Sequence, residues 1–219
     1  CKTYDVVENT RQAYQAAKAF GAFQDLVSDL PTKKVDVTIP DFHNTPERYS
    51  RLMAAMKNDS CDRVKDVQEE INFITSRESI VGVLLDHLVA GRLIERVTHN
   101  DTKLNNVMID GETDEAVCVI DLDTVMPGLA LYDFGDLVRG ATSPVAEDEL
   151  DTSKVEMRLP MFEAIVEGYL ETAANFLTPL EIDLLPFSAK LISLETGIRF
   201  LTDYLEGDQY FRVHRDNHN

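Results

Sequence analysis

Apolar residues recur three and four positions apart along much of this chain, the spacing that places them on one face of an α-helix. The first stripe predicts a helix over residues 10–30, stopped by Pro31. Residues 80–88 are apolar on nearly every side, which predicts a helix buried at the centre of the fold. Further stripes predict helices from Pro46 through Met56, over residues 64–74, over residues 154–174 and from about Pro186 to Leu205.

Short runs of β-branched residues interrupt the helical pattern. Residues 94–97, 107–109 and 117–120 predict three strands, and Asp110-Gly111 between the last two is typical of a hairpin turn. Residues 35–39 predict an extended piece closed by Pro40. No repeat or linker divides the chain, so residues 1–219 are expected to form one mainly α domain with a small β component (α+β).

Composition narrows the possible partners. With 219 residues, 44% hydrophobic and 27% charged, the chain is expected to fold around a real core. Its net charge of -18 repels nucleic acid and anionic membranes, and it also repels ATP unless a cation such as Mg²⁺ intervenes. The three cysteines form no CxxC pair, and no signal peptide or membrane-spanning run is present in the sequence. These features predict a cytoplasmic protein without nucleic-acid or membrane partners.

The most informative local pattern is an acidic residue followed by an amide and a second acid. Asp101 comes two positions after His99, Asn106 five positions after Asp101, and Asp121 ends an apolar run. These are the groups that metal-assisted phosphoryl transfer needs. Asp101 is the candidate base that takes the proton of an acceptor hydroxyl, and Asn106 and Asp121 are candidate Mg²⁺ ligands. Asp123 is expected either to bind a second metal ion or only to shape the turn.

This pattern resembles the aminoglycoside phosphotransferase and choline kinase superfamily, which shares the protein-kinase fold. Four strings are similar to its N-acetylhexosamine 1-kinase branch: DFHNTPERY at 41–49, HNDTKLNNV at 99–107, CVIDLDTVMPGLALYDFGDLVR at 118–139 and RFLTDYLEGDQYF at 199–211. The resemblance covers most of the chain. It implies the carboxy-terminal helical lobe of a protein-kinase-like fold, with the catalytic loop beside a short β-hairpin, and it implies ATP and a sugar as substrates.

The resemblance also implies roles for residues around the catalytic loop. Lys103 occupies the place of the lysine in the protein-kinase catalytic loop, where it either touches the transferred phosphate or remains solvated. His99 is expected to support the loop through hydrogen bonds rather than to bind metal. Asp133 is expected to be structural, as a helix cap or as a loop anchor.

Two residues near the end of the chain are candidates for acceptor binding. The resemblance suggests that Arg199 and Tyr210 contact the sugar, although Arg199 lies on a helix whose apolar stripe is complete and is alternatively a surface residue. The chain departs from the branch after Arg139, where Gly140 replaces an expected aromatic residue. The acceptor pocket is therefore expected to differ in shape.

The sequence pattern does not contain the features of the amino-terminal lobe of a kinase. Kinase-fold enzymes cover the nucleotide with an amino-terminal sheet lobe that carries a Gly-rich loop and a lysine on a strand. Gly21 is the only glycine before position 82, and it lies in a helical pattern. Residues 1–219 are therefore expected to be the carboxy-terminal catalytic lobe alone, with a lobe of about 100 residues upstream and little activity without it.

The leading interpretation is an ATP-dependent kinase that phosphorylates the anomeric hydroxyl of an N-acetylhexosamine. An aminoglycoside or choline-type kinase stays open, since an acidic surface suits a cationic acceptor. A non-catalytic kinase-like binding module is a third possibility, which the joint presence of Asp101, Asn106 and Asp121 disfavours. Metal-dependent phosphoester hydrolysis through Asp121 and Asp123 is weaker still. The sequence does not predict an oligomeric state.

Overall fold

The computed structural model describes residues 1–4, 6–147, 149–215 and 218. It is 56% helical with few short antiparallel strands, which confirms the predicted fold class. The described residues form helices α1 (Thr10–Leu26), α2 (Thr45–Asn58), α3 (Gln68–Thr75), α4 (Val83–Val89), α5 (Ala130–Thr142), α6 (Leu159–Ala173) and α7 (Pro179–Glu206). Strands β1 (Arg96–Thr98), β2 (Val107–Ile109), β3 (Ala116–Val119) and β4 (Met126–Gly128) make two antiparallel pairs.

The two strand pairs frame the predicted catalytic loop. β2 and β3 form the predicted hairpin, and Asp110 shapes its turn by accepting the N–H groups of Glu112 and Thr113. β1 pairs with β4, a strand that the sequence pattern did not predict because Pro127 and Gly128 disfavour strand interiors. His99 directly follows β1, and Ile120 directly follows β3. Both pairs therefore end at the loop that carries Asp101.

The main core lies behind this loop, between α1, α5, α6 and α7. α1 and α6 approach very closely because each carries a glycine at the contact. A Cβ on Gly168 would lie 2.2 Å from the backbone oxygen of Tyr14, and one on Gly21 would lie 2.7 Å from that of Tyr169. The ring of Phe20 on α1 meets the His99 ring edge-on at 5.3 Å between centroids. The predicted catalytic loop therefore packs directly against the main core.

A second apolar cluster joins α2 and α3 to the later half of α7. It contains Tyr49, Leu52, Ile71, Ile74, Ile198 and Leu205. α7 therefore belongs to both clusters and connects the main core to the α2–α3 region. The start of α7 has a local cause: Thr178 and Glu181 form a reciprocal capping box that begins the helix at Pro179.

Several predicted boundaries were wrong for physical reasons. The first helix ends at Leu26, whose side chain is 79% exposed, so the apolar stripe was too weakly buried to extend it to residue 30. Residues 35–39 form no strand: the backbone of Val35 is extended, but bends lie at residues 35, 38 and 39. The stripe over residues 64–74 is divided into a 3₁₀ turn at Val64–Asp66 and α3. Residues 80–88 do not form a central helix, since Leu84 is the one buried residue of α4.

The two carboxy-terminal helices also differ from their predicted ranges. α6 begins at Leu159 rather than at residue 154, after a 3₁₀ turn at Thr152–Lys154. α7 begins before Pro186, which lies inside the helix, and not at that proline. The capping box at Thr178 determines the beginning of the helix, at Pro179 rather than at the predicted Pro186.

Candidate active site

Two carboxylates of α5 hold the backbone of the predicted catalytic loop. The oxygens of Asp133, which is fully buried, accept the N–H of His99 at 2.9 Å and of Asn100 at 2.7 Å. Asp136, one turn later, accepts the N–H of Thr102 at 3.1 Å. Burial raises the pKa of Asp133, while these hydrogen bonds act in the opposite direction. Asp133 therefore lies beneath the loop and contacts its backbone, three positions inside α5 rather than at a helix cap.

His99 uses both of its ring nitrogens within the fold. Its Nε2 lies 3.0 Å from the carbonyl oxygen of Ile120, and its Nδ1 lies 3.3 Å from the N–H of Asp101. A carbonyl only accepts and an N–H only donates, so this pattern makes Nε2 the donor and Nδ1 the acceptor. The rings of Phe20 and Phe23 pack against it edge-on. His99 therefore has no nitrogen left for a metal ion.

The Asp101 carboxylate is held on both sides. One oxygen lies 2.8 Å from the Lys103 ammonium, and the other accepts a hydrogen bond from Asn106 Nδ2 at 3.1 Å. Burial acts to lower the pKa of Lys103, but the hydrogen bond and charge of Asp101 raise it above its ordinary value. The Asp101 side chain remains 23% exposed. It is thus an oriented carboxylate that a substrate can reach.

Asp121 is placed near Asn106 and His99 by the backbone contacts of the preceding residue, Ile120. The N–H of Ile120 donates to the backbone oxygen of Asn106 at 2.9 Å, while its carbonyl contacts His99. Asp121 and Asp123 are both exposed, and neither carboxylate has a hydrogen-bond or ion-pair partner among the described residues. The structure therefore brings Asp101, Lys103, Asn106 and Asp121 to one region, with Asp123 on the turn that follows.

Backbone conformation is unusual on both sides of the site. Asn100 has φ 66° and Asp121 has φ 62°, in the left-handed region that Asn and Asp tolerate better than other non-glycine residues. The Asn100 side chain is fixed by donating to the carbonyl of Thr124 at 3.0 Å and accepting from the Thr98 hydroxyl at 3.0 Å. Such conformations persist where surrounding contacts determine them, and they cluster at functional sites.

The oxygen donors at this site fit a cation shared with a nucleotide. Among the described residues, no three His, Cys, Asp or Glu side chains are grouped so as to hold a metal ion by themselves. Mg²⁺ does not need such a cage, since it is commonly held by one or two carboxylates together with substrate phosphates. Asn106 commits its amide nitrogen to Asp101, which leaves its oxygen and the carboxylates of Asp121 and Asp123 as the available donors.

Comparison with known families identifies the family of the chain. The family model described as "Phosphotransferase enzyme family" matches residues 2–163, more than half of the chain. The chain belongs to this family. Its members are kinase-type transferases that use ATP with a divalent metal ion, generally Mg²⁺, and act on small molecules. The match contains the site from His99 to Asp133 and ends before Arg199 and Tyr210. In the part of this phosphotransferase that the structure describes, no helix is long and apolar enough to cross a membrane.

Arg199 and Tyr210 lie together in a separate cleft of the phosphotransferase, which we call the arginine cleft. Its other lining residues are Arg48, Arg51, Thr202, Asp203, Glu206 and Phe211. The guanidinium carbon of Arg199 lies 5.4 Å from the ring centroids of Phe42 and Phe211 and 5.8 Å from that of Tyr210. Asp203 fixes the segment after α7 by accepting the N–H groups of Tyr210 at 2.7 Å and Phe211 at 3.0 Å. Arg199 is therefore a half-buried residue among three aromatic rings.

The lining of this cleft is cationic although the whole chain is acidic. Arg51 is paired with Glu206, and both oxygens of Asp203 accept backbone N–H groups. Arg199 has no hydrogen-bond or ion-pair partner among the described residues, and the Nε of Arg48 is buried without one. Burial, followed by the charge of Arg199, lowers the pKa of Arg48. Arg48 donates to the backbone oxygen of Phe42 at 3.2 Å. Arg48 and Arg199 thus share the cleft without an ion-pair partner among the described residues, although Asp203 and Glu206 also line it.

A larger cleft of about 420 Å³ borders Lys103. Phe200 lines it, and its ring packs against Phe211 at 4.4 Å between centroids. Gly140 lies in the same wall, where a Cβ would meet no atom within 4 Å. The absence of the expected aromatic residue therefore leaves this cleft open beside the catalytic loop.

Sequence reasoning assigned no role to His43 or Glu195, although both contact the site region. His43 lies in the DFHNTPERY string, and its ring connects Glu195 of α7 to the backbone oxygen of Asn100. One signal was present: Glu195 lies three positions before Ile198, close to the apolar stripe of α7, and a charge buried on that face needs a partner.

Proposed function

We propose that this phosphotransferase transfers the γ-phosphate of ATP to a sugar hydroxyl, specifically the anomeric hydroxyl of an N-acetylhexosamine. The observation that carries the proposal is the Asp101 carboxylate, held between Lys103 and Asn106 on a loop whose neighbouring strand leads into Asp121. An accessible, oriented carboxylate beside unpartnered oxygen donors is the arrangement that phosphoryl transfer from a nucleotide requires.

In this mechanism Asp101 accepts a hydrogen bond from the acceptor hydroxyl and takes its proton as the oxygen attacks the γ-phosphorus. A new O–P bond forms, the bond to the β–γ bridging oxygen breaks, and ADP leaves with that electron pair. Lys103 contacts the transferred phosphate. Asn106, Asp121 and Asp123 are the residues that would hold Mg²⁺, which when bound neutralises phosphate charge.

The charge of the arginine cleft favours a sugar over a cationic acceptor. An aminoglycoside or choline would bring ammonium groups towards Arg48 and Arg199, neither of which forms an ion pair with a described carboxylate. A neutral sugar instead offers oxygens to the directed donors of Arg199 and a ring face to Tyr210. Local charge at the cleft therefore outweighs the acidic surface, which had left both acceptor classes open.

We further propose that residues 1–219 act as the carboxy-terminal catalytic lobe of the enzyme. The support is the sequence, which contains no Gly-rich phosphate loop and no strand-borne lysine ahead of the catalytic loop. Turnover should be low in the 219-residue chain and should rise steeply in a form extended at the amino terminus with a nucleotide-covering lobe. Equal turnover in the two forms would contradict this assignment.

The acceptor is tested by measuring ADP release with a panel of N-acetylhexosamines, other sugars, aminoglycosides and choline. Activity confined to the N-acetylhexosamines supports the proposal, and activity confined to the amines refutes it. Mg·ATP binding without turnover on any acceptor would instead favour a kinase-like binding module.

The separate roles of Asp101 and Asp121 are tested in the amino-terminally extended form, which we call the active form of the enzyme. Asp101→Asn should lower kcat by about 10²–10⁴ while Mg·ATP binding stays nearly intact. Asp121→Ala should weaken Mg·ATP binding instead. Identical behaviour of the two variants would contradict the assignment.

A further inference from the structure

His43 is a buried titratable residue that the proposed mechanism does not use. It lies on the segment before α2, with its ring packed against those of Phe42 and Tyr132 at 4.7 and 4.8 Å between centroids. Its Nδ1 lies 2.9 Å from a carboxylate oxygen of Glu195, and its Nε2 lies 3.3 Å from the backbone oxygen of Asn100. One ring thus connects α7 to the residue that precedes Asp101.

Both partners of this ring are hydrogen-bond acceptors. A backbone carbonyl has no proton to give, and the second oxygen of Glu195 accepts the hydroxyl of Thr45 at 2.5 Å, as expected of a carboxylate. A neutral histidine carries one N–H and satisfies only one of two such partners. The imidazolium ion carries two and satisfies both.

The charges around His43 favour the same protonation state. Burial acts to lower its pKa, but the hydrogen bond and charge of Glu195, the charge of Asp136 on α5 and the Asn100 carbonyl together raise it above the ordinary value. Asp136 is also paired with Arg139. Glu195 is only 1% exposed, and a buried carboxylate is strongly destabilising without a cation or donor beside it. The ring of Tyr132 also packs against His43, and burial, followed by the charge of Glu195, raises the pKa of the Tyr132 hydroxyl, so it stays neutral.

We propose that His43 is an imidazolium ion that positions the catalytic loop by holding Glu195 and the Asn100 carbonyl together. The position of the loop matters because the next residue is the candidate base Asp101. Arg199 lies one helical turn after Glu195 on α7, so the same contact links the acceptor cleft to the base. The kinetic consequence depends on the proposed kinase function, whereas the protonation state of the ring does not.

The pH dependence follows from the direction of the shift. Because the folded pKa is raised, the doubly bonded ring is fully present below the ordinary pKa of histidine and is lost as pH rises through the folded value. Above that value one of the two hydrogen bonds is broken. The loop then loses a restraint next to Asp101, and kcat should fall on the alkaline side.

The direct test is ¹⁵N NMR of the histidine rings in the 219-residue chain, with the His43 signals identified by their loss in His43→Gln. We expect two protonated ring nitrogens for His43 at pH 7. A neutral ring with one protonated nitrogen at pH 7 would overturn the proposal. This measurement needs no turnover, so a protonated His43 ring would stand even if the amino-terminally extended form phosphorylated no acceptor. That second outcome would refute only the kinase function.

The positioning role is tested by kinetics in the active form of the enzyme. His43→Gln should lower kcat about ten- to hundredfold with the KM for ATP unchanged, and it should abolish the alkaline fall in kcat. His87→Gln, on α4, is the matched control and should leave the pH profile unchanged. An alkaline fall that persists in His43→Gln would contradict the positioning role even if kcat is reduced.

Discussion

The contact between Asp133 and the catalytic loop gives the sharpest prediction for stability. This fully buried carboxylate accepts three hydrogen bonds, from the N–H groups of His99 and Asn100 and from Gln24 Nε2 at 2.5 Å. Each buried donor left without an acceptor costs about 1–3 kcal/mol. Because neighbouring losses are not additive, Asp133→Ala should lower the free energy of unfolding by about 3–5 kcal/mol.

A more conservative variant separates the lost bonds from the lost side chain. Asp133→Asn keeps one acceptor oxygen and turns an amide NH₂ towards one of the three donors, so it should cost about 1.5–3 kcal/mol. Asp183→Ala, at an exposed aspartate of α7, is the matched control and should stay within about 0.5 kcal/mol of the parent chain. The expected order of destabilisation is Ala, then Asn, then the control.

The assay is urea unfolding followed by circular dichroism at the helical band, since the chain has no tryptophan to report by fluorescence. The midpoints should fall in the stated order with similar slopes. An Asp133→Ala chain whose unfolding free energy matches that of Asp183→Ala would refute the reasoning, because it would show that the three buried donors do not depend on this carboxylate.

Two further substitutions, each with a matched control, test the arginine cleft and the packing of α1 against α6. Arg199→Met should raise the KM for the acceptor about ten- to hundredfold, as expected for loss of a hydrogen bond to a charged group, and should leave the KM for ATP unchanged. Arg51 lies in the same cleft but is already paired with Glu206, so Arg51→Met should change the acceptor KM much less. Equal effects of the two variants on the acceptor KM would contradict the cleft assignment. Gly168→Ala should lower the thermal midpoint of unfolding because its Cβ would meet the Tyr14 carbonyl at 2.2 Å. Gly197→Ala, with open space around the Cβ, should instead stabilise helix α7 by up to about 1 kcal/mol. An unchanged thermal midpoint in Gly168→Ala would refute the close α1–α6 contact.

The helices could be predicted from the sequence wherever an apolar stripe is buried along its whole length. α2 matched its predicted range closely, and the hairpin turn at Asp110 was recognisable from its residues. α4 was misjudged because an apolar composition does not reveal what covers a helix, and Val89 is 88% exposed. β4 was missed because Pro127 and Gly128 disfavour strands locally, and only its pairing with β1 makes it one.

For the candidate site, local spacing revealed the acids and amide but not the contacts beneath them. Asp101, Lys103 and Asn106 lie within six residues of one another, so one loop brings them together. The bond between His43 and Glu195 joins residues 152 positions apart, and no periodicity encodes such a pair. Long-range polar contacts depend on how the helices pack, which local spacing in the sequence does not show.

The central claim is that Asp101 serves as the base in phosphate transfer from ATP to a sugar hydroxyl. The most direct measurement is ³¹P NMR of a reaction containing Mg²⁺, ATP and an N-acetylhexosamine, catalysed by the active form of the enzyme and by its Asp101→Asn variant. The account predicts a sugar 1-phosphate resonance, coupled to the anomeric proton, that grows with the parent enzyme and is slowed by about 10²–10⁴ in the variant. Formation of that product at the same rate by both proteins, or release of inorganic phosphate without any sugar phosphate, would contradict it.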